Sequence, residues 1–263
     1  MQTDNRNMEL VQRFIGLPWA QRKLFLEKLA SKGMSLAQLP IPQTRQNAEW
    51  LPLSYAQQRQ WFLWQLEPQS SAYNIPAALR FSGELDIAAL QRSFEVLIGR
   101  HEILRTTFSL EDEQAVQVVH ASLKFELAVE SVASQEPGIL QACLEAEARQ
   151  PFDLQHGPLL RAKLLKLAPQ EHVLVLSLHH IVADGWSMPV MVEDLLRLYE
   201  GASQGHDIQL PPLPIQYADY AIWQRAWMEA GEKDRQLEYW QAQLGDEQPV
   251  LELPTDRPRP ALH

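Results

Sequence analysis

The sequence predicts a mixed α/β chain, an α+β sandwich in which helices flank a mixed sheet, with a small helical segment at the N-terminus. Three observations predict it. Short apolar and β-branched runs, Val173 to Leu178 the clearest, read as strands and end in turn residues. Amphipathic stretches with capping residues alternate with them. An apolar fraction of 46% over 263 residues suffices for a substantial core, in one large domain or two small ones.

Residues 1–40 read as a separate helical piece. Asn7 to Phe14 is amphipathic, Pro18 suits a first helical position, and Trp19 to Ala30 has apolar residues at helical spacing, closed by Gly33. Arg6, Arg13, Arg22, Lys23, Lys28 and Lys32 outnumber Asp4, Glu9 and Glu27. The segment is therefore +3 and leaves −13 on the rest of a chain whose total is −10. Residues 41–50 read as a linker, with Pro40 and Pro42 breaking any helix.

Residues 51–263 form the main unit. Ser54 to Leu66 is a helix opened by a capping box, Ser54 with Gln57. Ile75 to Phe81 is a strand, and Asp86 caps the helix Ile87 to Gly99. Thr106 to Leu110 and Ala115 to His120 make a hairpin around an acidic turn. Gly138 to Arg149 is helical; Leu159 to Leu167 and His172 to His179 are strands joined through Pro169-Gln170. Trp186 to Tyr199 is a helix and Gly201 to Pro214 a loop, followed by helices at Tyr217 to Ala230 and Lys233 to Leu244. The last ten residues, from Pro254, read as a linker.

Several function classes fall away. A pI of about 5.3 argues against a nucleic-acid partner. Cys143 is the only cysteine, which excludes an internal disulfide and a multi-cysteine zinc site and fits a reducing cytoplasm. No apolar run is long enough to cross a membrane, and the polar N-terminus is not a secretory signal. Glycines are too sparse for a phosphate-cradling loop.

The densest chemistry lies at Ser177 to Ser187, where a strand runs into His179-His180 and then Asp184-Gly185. Adjacent strand residues face opposite sides, so only one of the two imidazoles enters a given cavity. The pair therefore suits proton transfer better than metal binding, and no metal is expected. His180 shares a face with Leu174, Leu176 and Leu178, which points it into an apolar interior that favours the neutral ring. Asp184 needs a partner, and Arg100 or Arg105 is the expected one. Gly185 is expected to permit a tight turn and keep the cavity open. The plainer alternative makes His180 a core histidine and Asp184 a helix cap.

Three further segments stand in a fixed order around it. Ser54 to Trp61, with Ser54, Gln57 and Arg59, opens a helix. Arg100 to Phe108 joins a helix to a strand. Tyr217 to Gln224, with Tyr217, Asp219 and Trp223, opens a late helix. Together with His179-His180-Ile181-Val182-Ala183-Asp184-Gly185, they resemble the first four signature motifs of the condensation domain of non-ribosomal peptide synthetases. The resemblance runs from about Leu51 to the end of the chain.

It implies a chloramphenicol-acetyltransferase-like lobe, one of two in a V, with His180 at the floor of the channel between them. Carrier domains would bring donor and acceptor on phosphopantetheine arms, and the acceptor amine would attack the donor thioester to form an amide. An adenylation domain of the same synthetase is an implied partner, and no cofactor is bound directly. Residues 1–40 resemble the basic leader at the start of some bacterial synthetase chains, notably siderophore and lipopeptide systems, which makes them a candidate dock for an upstream synthetase. The motifs of the second lobe are absent here, so this chain alone is expected to be weakly active or inactive. Two alternatives remain: a coenzyme A-dependent acyltransferase using the same His180, and an inactive fragment serving as an interaction module.

Overall fold

The computed structural model describes residues 2–44, 51–132, 137–206 and 209–246, together with 254, 256 and 257. The second half of the linker and most of the C-terminal tail read from sequence lie outside these residues.

The central feature is a four-stranded sheet in the order β2-β7-β6-β5, made of β2 (Asn74–Ser82), β5 (Ala128–Ser131), β6 (Leu160–Ala168) and β7 (Glu171–His179). β2, β7 and β6 run antiparallel, and β5 joins β6 in parallel, so the sheet is mixed as expected. β7 is buried along its length after Glu171, which explains its continuous apolar run. Leu174, Leu176 and Leu178 join the main core with the helices on one face. Val173 and Val175 point the other way, against Leu140, Cys143 and Leu144 of α5 (Pro137–Arg149). This two-sided covering is what a central strand requires.

The main core is closed by α3 (Tyr55–Leu66), α4 (Ile87–Arg100) and α6 (Ser187–Ser203), α4 packing along α6. Both N-terminal caps follow the sequence: Ser54 and Gln57 form the reciprocal box, and Asp86 accepts from the Ala89 amide. A second, three-stranded sheet has the order β1-β4-β3, from β1 (Leu51–Pro52), β3 (Thr106–Glu111) and β4 (Gln114–Val119). The β3–β4 turn places Asp112 and Glu113 at φ 48° and 64°, the left-handed pair that lets a two-residue loop follow the strand twist.

Some elements differ from expectation. β1 is two residues long and β5 is exposed at all four positions, so neither carries a periodic apolar signal. Gly201, expected in a loop, is a buried residue of α6. The N-terminal helices α1 (Gln2–Gly16) and α2 (Trp19–Ala30) do not stand apart. Val11, Phe14, Leu29 and Leu36 form one core with Trp223 and Ala226 of α7 (Tyr217–Trp227) and with Ala230. A π-helical turn, Met228–Glu232, then leads into α8 (Lys233–Leu244), which buries none of its side chains.

Candidate functional site

β7 ends at His179, but the ladder with β2 continues one residue further, the His180 amide donating to the Tyr73 carbonyl at 2.8 Å. The two histidines therefore part to opposite sides. His179 is buried between Tyr73 and Phe152, its Nδ1 accepting from the Ile181 amide at 3.0 Å while its carbonyl accepts from the Val182 amide. Burial, with a smaller contribution from the neighbouring His180, lowers its pKa to about 4, so it is a neutral structural ring at pH 7.

His180 keeps the face of Leu178, yet it is exposed and not set within an apolar interior. The physical reason is that the space beside it, between α3 and α6, is an open pocket and not filled core. Leu178 closes the core and His180 emerges beside it, on the wall of an open pocket of about 390 Å³. Buried residues form the pocket floor, among them Leu104, Leu178, Ile181 and Met191. Trp186, at 86% exposure, and Val190 stand at the mouth.

Among the described residues, no arginine pairs with Asp184. Its carboxylate accepts from the Ser187 amide at 2.7 Å and the Ser187 hydroxyl at 2.6 Å, bonds that hold its pKa below the usual carboxylate range. It thus caps the entry to α6, and both arginines are engaged elsewhere. Arg100 pairs with Asp194 at 3.1 Å and donates to the Pro211 carbonyl at 2.6 Å. Arg105 reaches Glu102 at 3.3 Å and also donates to the His120 carbonyl. Asp194 lies two helical turns beyond Ser187 on α6 and nearer to α4, so geometry hands it the arginine expected for Asp184. Gly185 is not in the left-handed region, and an added Cβ would meet nothing within 4 Å, so neither the turn nor the pocket requires glycine there.

The first motif converges on the histidine turn. Gln57 accepts from the Ser54 amide at 3.0 Å and donates to Gln117 at 3.3 Å and to the Ile181 carbonyl at 3.4 Å. α3 is thereby tied to the residue after His180. Ser54 Oγ lies 2.9 Å from the Tyr217 hydroxyl, and burial raises the Tyr217 pKa. Arg59 and Tyr217 both line the pocket. Asp219 does not: fully buried, it accepts from the Thr44 amide at 2.7 Å and the Gln216 amide at 3.0 Å. Trp223 is also absent from the pocket, being 6% exposed in the core shared with α1 and α2.

Among the pocket residues not singled out by the sequence reading are His101 and Gln60. His101 lies in the Arg100 to Phe108 segment, its Nε2 3.1 Å from Asp194. Gln60 stands one turn from Gln57 on the same stripe of α3, a spacing that would have found it. No cluster of three or more metal-ligating side chains occurs among the described residues.

A model of the condensation-domain family matches residues 47–263. A linear gramicidin synthase polypeptide of Brevibacillus parabrevis is 51% identical over 229 residues, which are 85% of this chain and 3% of that protein. Enniatin synthase of Fusarium equiseti is 41% identical over 232 residues, 88% of this chain and 7% of the other. Among solved structures, the X-domain from teicoplanin biosynthesis superposes with a TM-score of 0.75 at 33% identity, covering 84% of this chain and 49% of that one. The starter condensation domain of rhizomide synthetase gives 0.68 at 22% identity, covering 76% and 48%. The chain thus spans a small share of its curated relatives and about half of each solved chain.

Proposed function

The chain belongs to the condensation-domain family of non-ribosomal peptide synthetases, with that family's chloramphenicol-acetyltransferase-like fold, and from this premise we propose that its pocket is where an acyl thioester meets an amine at His180. Condensation domains are acyltransferases that form peptide bonds. In this reading both substrates arrive on phosphopantetheine arms of carrier domains, the adenylation domain of the same synthetase supplies the activated residue, and the chain binds no cofactor of its own.

The chemistry asks little of the base. An α-amine has a pKa of about 8, so about a tenth is neutral at pH 7 and freeing the rest costs about 1.4 kcal/mol. The amine lone pair forms the C–N bond on the thioester carbon. His180 orients the amine and takes a proton from nitrogen as the tetrahedral intermediate collapses. The C–S bond then breaks, and the proton finally resides on the released carrier thiol. Asp184, Gln57 and His179 are engaged in hydrogen bonds within the protein. They position the turn that carries His180.

The observation that supports this reading is the contrast within the histidine pair, one ring locked neutral in the core and the other open on a pocket wall. It is tested by grafting the chain into the gramicidin synthase polypeptide in place of the matching segment and measuring amide formation. His180→Ala should lower turnover at least about a hundredfold, within the range of general acid–base contributions. A folded graft that keeps its activity after His180→Ala would refute the assignment.

A second role concerns the N-terminal helices. A groove between α1 and α2 is apolar at Leu10, Leu24 and Phe25 and is rimmed by exposed Arg6, Arg13, Lys28 and Lys32. Against the −13 on the rest of the chain, this local excess of positive charge suits an acidic amphipathic segment of an upstream synthetase.

A further inference from the structure

α3 presents two glutamines to the pocket, one turn apart, and they differ in how they are used. The Gln57 carboxamide is engaged at both ends, with Ser54, Gln117 and Ile181. Gln60 is 5% exposed, yet its Oε1 has no hydrogen-bond partner among the described residues. The apolar lining residues Leu104, Leu178 and Met191 have no side-chain N–H or O–H to offer, and the polar Tyr217 and His101 pair instead with Ser54 and Asp194. A buried carboxamide oxygen left in this way is destabilising, and a ligand that donates to it removes that penalty.

Depth decides what such a ligand presents. His180 is exposed and Gln60 is buried, and both line the same pocket. A substrate whose reacting atoms sit at His180 therefore places another part of itself at Gln60. We propose that Gln60 is a specificity-determining residue, reading a hydroxyl or N–H donor on the side chain of the aminoacyl group that enters this pocket. The apolar floor holds the carbon skeleton, and the single carboxamide discriminates between isosteres, because a site built around one hydrogen bond leaves its own polar group unpaired when the bond is missing. The proposal rests on the assignment of His180 as the reacting centre.

The test needs no turnover. Threonyl- and valyl-pantetheine, each joined through a non-hydrolysable amide, differ by one hydroxyl in place of a methyl. Their binding to the 263-residue chain is followed through the His180 ring resonances and the Gln60 side-chain amide resonances. Both probes should shift His180. The threonyl probe alone should shift Gln60, and it should bind about tenfold more tightly. Gln60→Met, which keeps length and helix propensity, should bring the two affinities within about twofold while His180 still responds. Equal affinities for the unsubstituted chain, with His180 shifting in both, would overturn the role of Gln60 and leave the site assignment standing. A His180 that responds to neither probe would overturn both.

Discussion

His179 and His180 are neighbours in the chain and opposites in environment, and the difference fixes a charge state. His179, ordinarily near 6.5, is lowered to about 4 by burial, so the unfolded chain binds a proton there that the folded chain does not. The stabilising contribution is complete above the unfolded value and is lost as pH falls toward 4, on the order of 3 kcal/mol across that window. Unfolding free energies from urea titrations at pH 7, 5.5 and 4.5 should therefore fall. His179→Asn, whose Oδ1 can take over acceptance from the Ile181 amide, should flatten that part of the decline. An unchanged pH slope in the variant would show that other groups govern it. Asp184 is held in the charged form instead: bonds from Ser187 depress its pKa, so its contribution is lost as pH falls through its folded value.

At the scale of elements, the caps carry the placement of the site. Ser54 closes the α3 box and also meets the Tyr217 hydroxyl, linking the start of α3 to the start of α7. Ser54→Ala should cost about 2 kcal/mol in urea denaturation, combining a lost cap with an orphaned buried partner. A cost below about 0.5 kcal/mol would mean that α3 is held by packing alone. Features of this kind were legible in the sequence because they are local: the Ser54–Gln57 box, the Asp86 cap, the β6–β7 hairpin and the alternation that sent His180 to the face of Leu178. What was not legible depended on distant partners. Asp184 stands at the entry to α6 and Asp194 midway along it, and only the approach of α4 determines which one Arg100 reaches. Trp223 looks like a site residue beside Tyr217, but the face of α7 it occupies is claimed by Val11 and Phe14. β1 owes its existence to pairing with β4, and β5 to pairing with β6.

For the whole molecule, the shared core of α1, α2 and α7 decides how the basic groove is to be tested. Removing residues 1–40 would strip Trp223 and Ala226 of their cover and confuse docking with unfolding. Reversing the charge of Arg6, Arg13, Lys28 and Lys32, all exposed, leaves that core intact. Fluorescence titration with an acidic amphipathic peptide from the C-terminus of an upstream synthetase should show binding that weakens with salt and is lost in the fourfold variant, with the melting temperature unchanged. Salt-insensitive binding, or binding that survives the reversal, would remove the groove from consideration.

The openness of the pocket around His180 bears on fidelity as well as rate. In the proposed reaction, a thioester resting beside an imidazole in contact with bulk solvent would be open to hydrolysis as well as aminolysis, and each hydrolysed ester would discard an intermediate that earlier steps had already built. On that proposal, whatever body shields the mouth at Trp186 and Val190 would set the partition between product and waste, separately from the groups that make the bond.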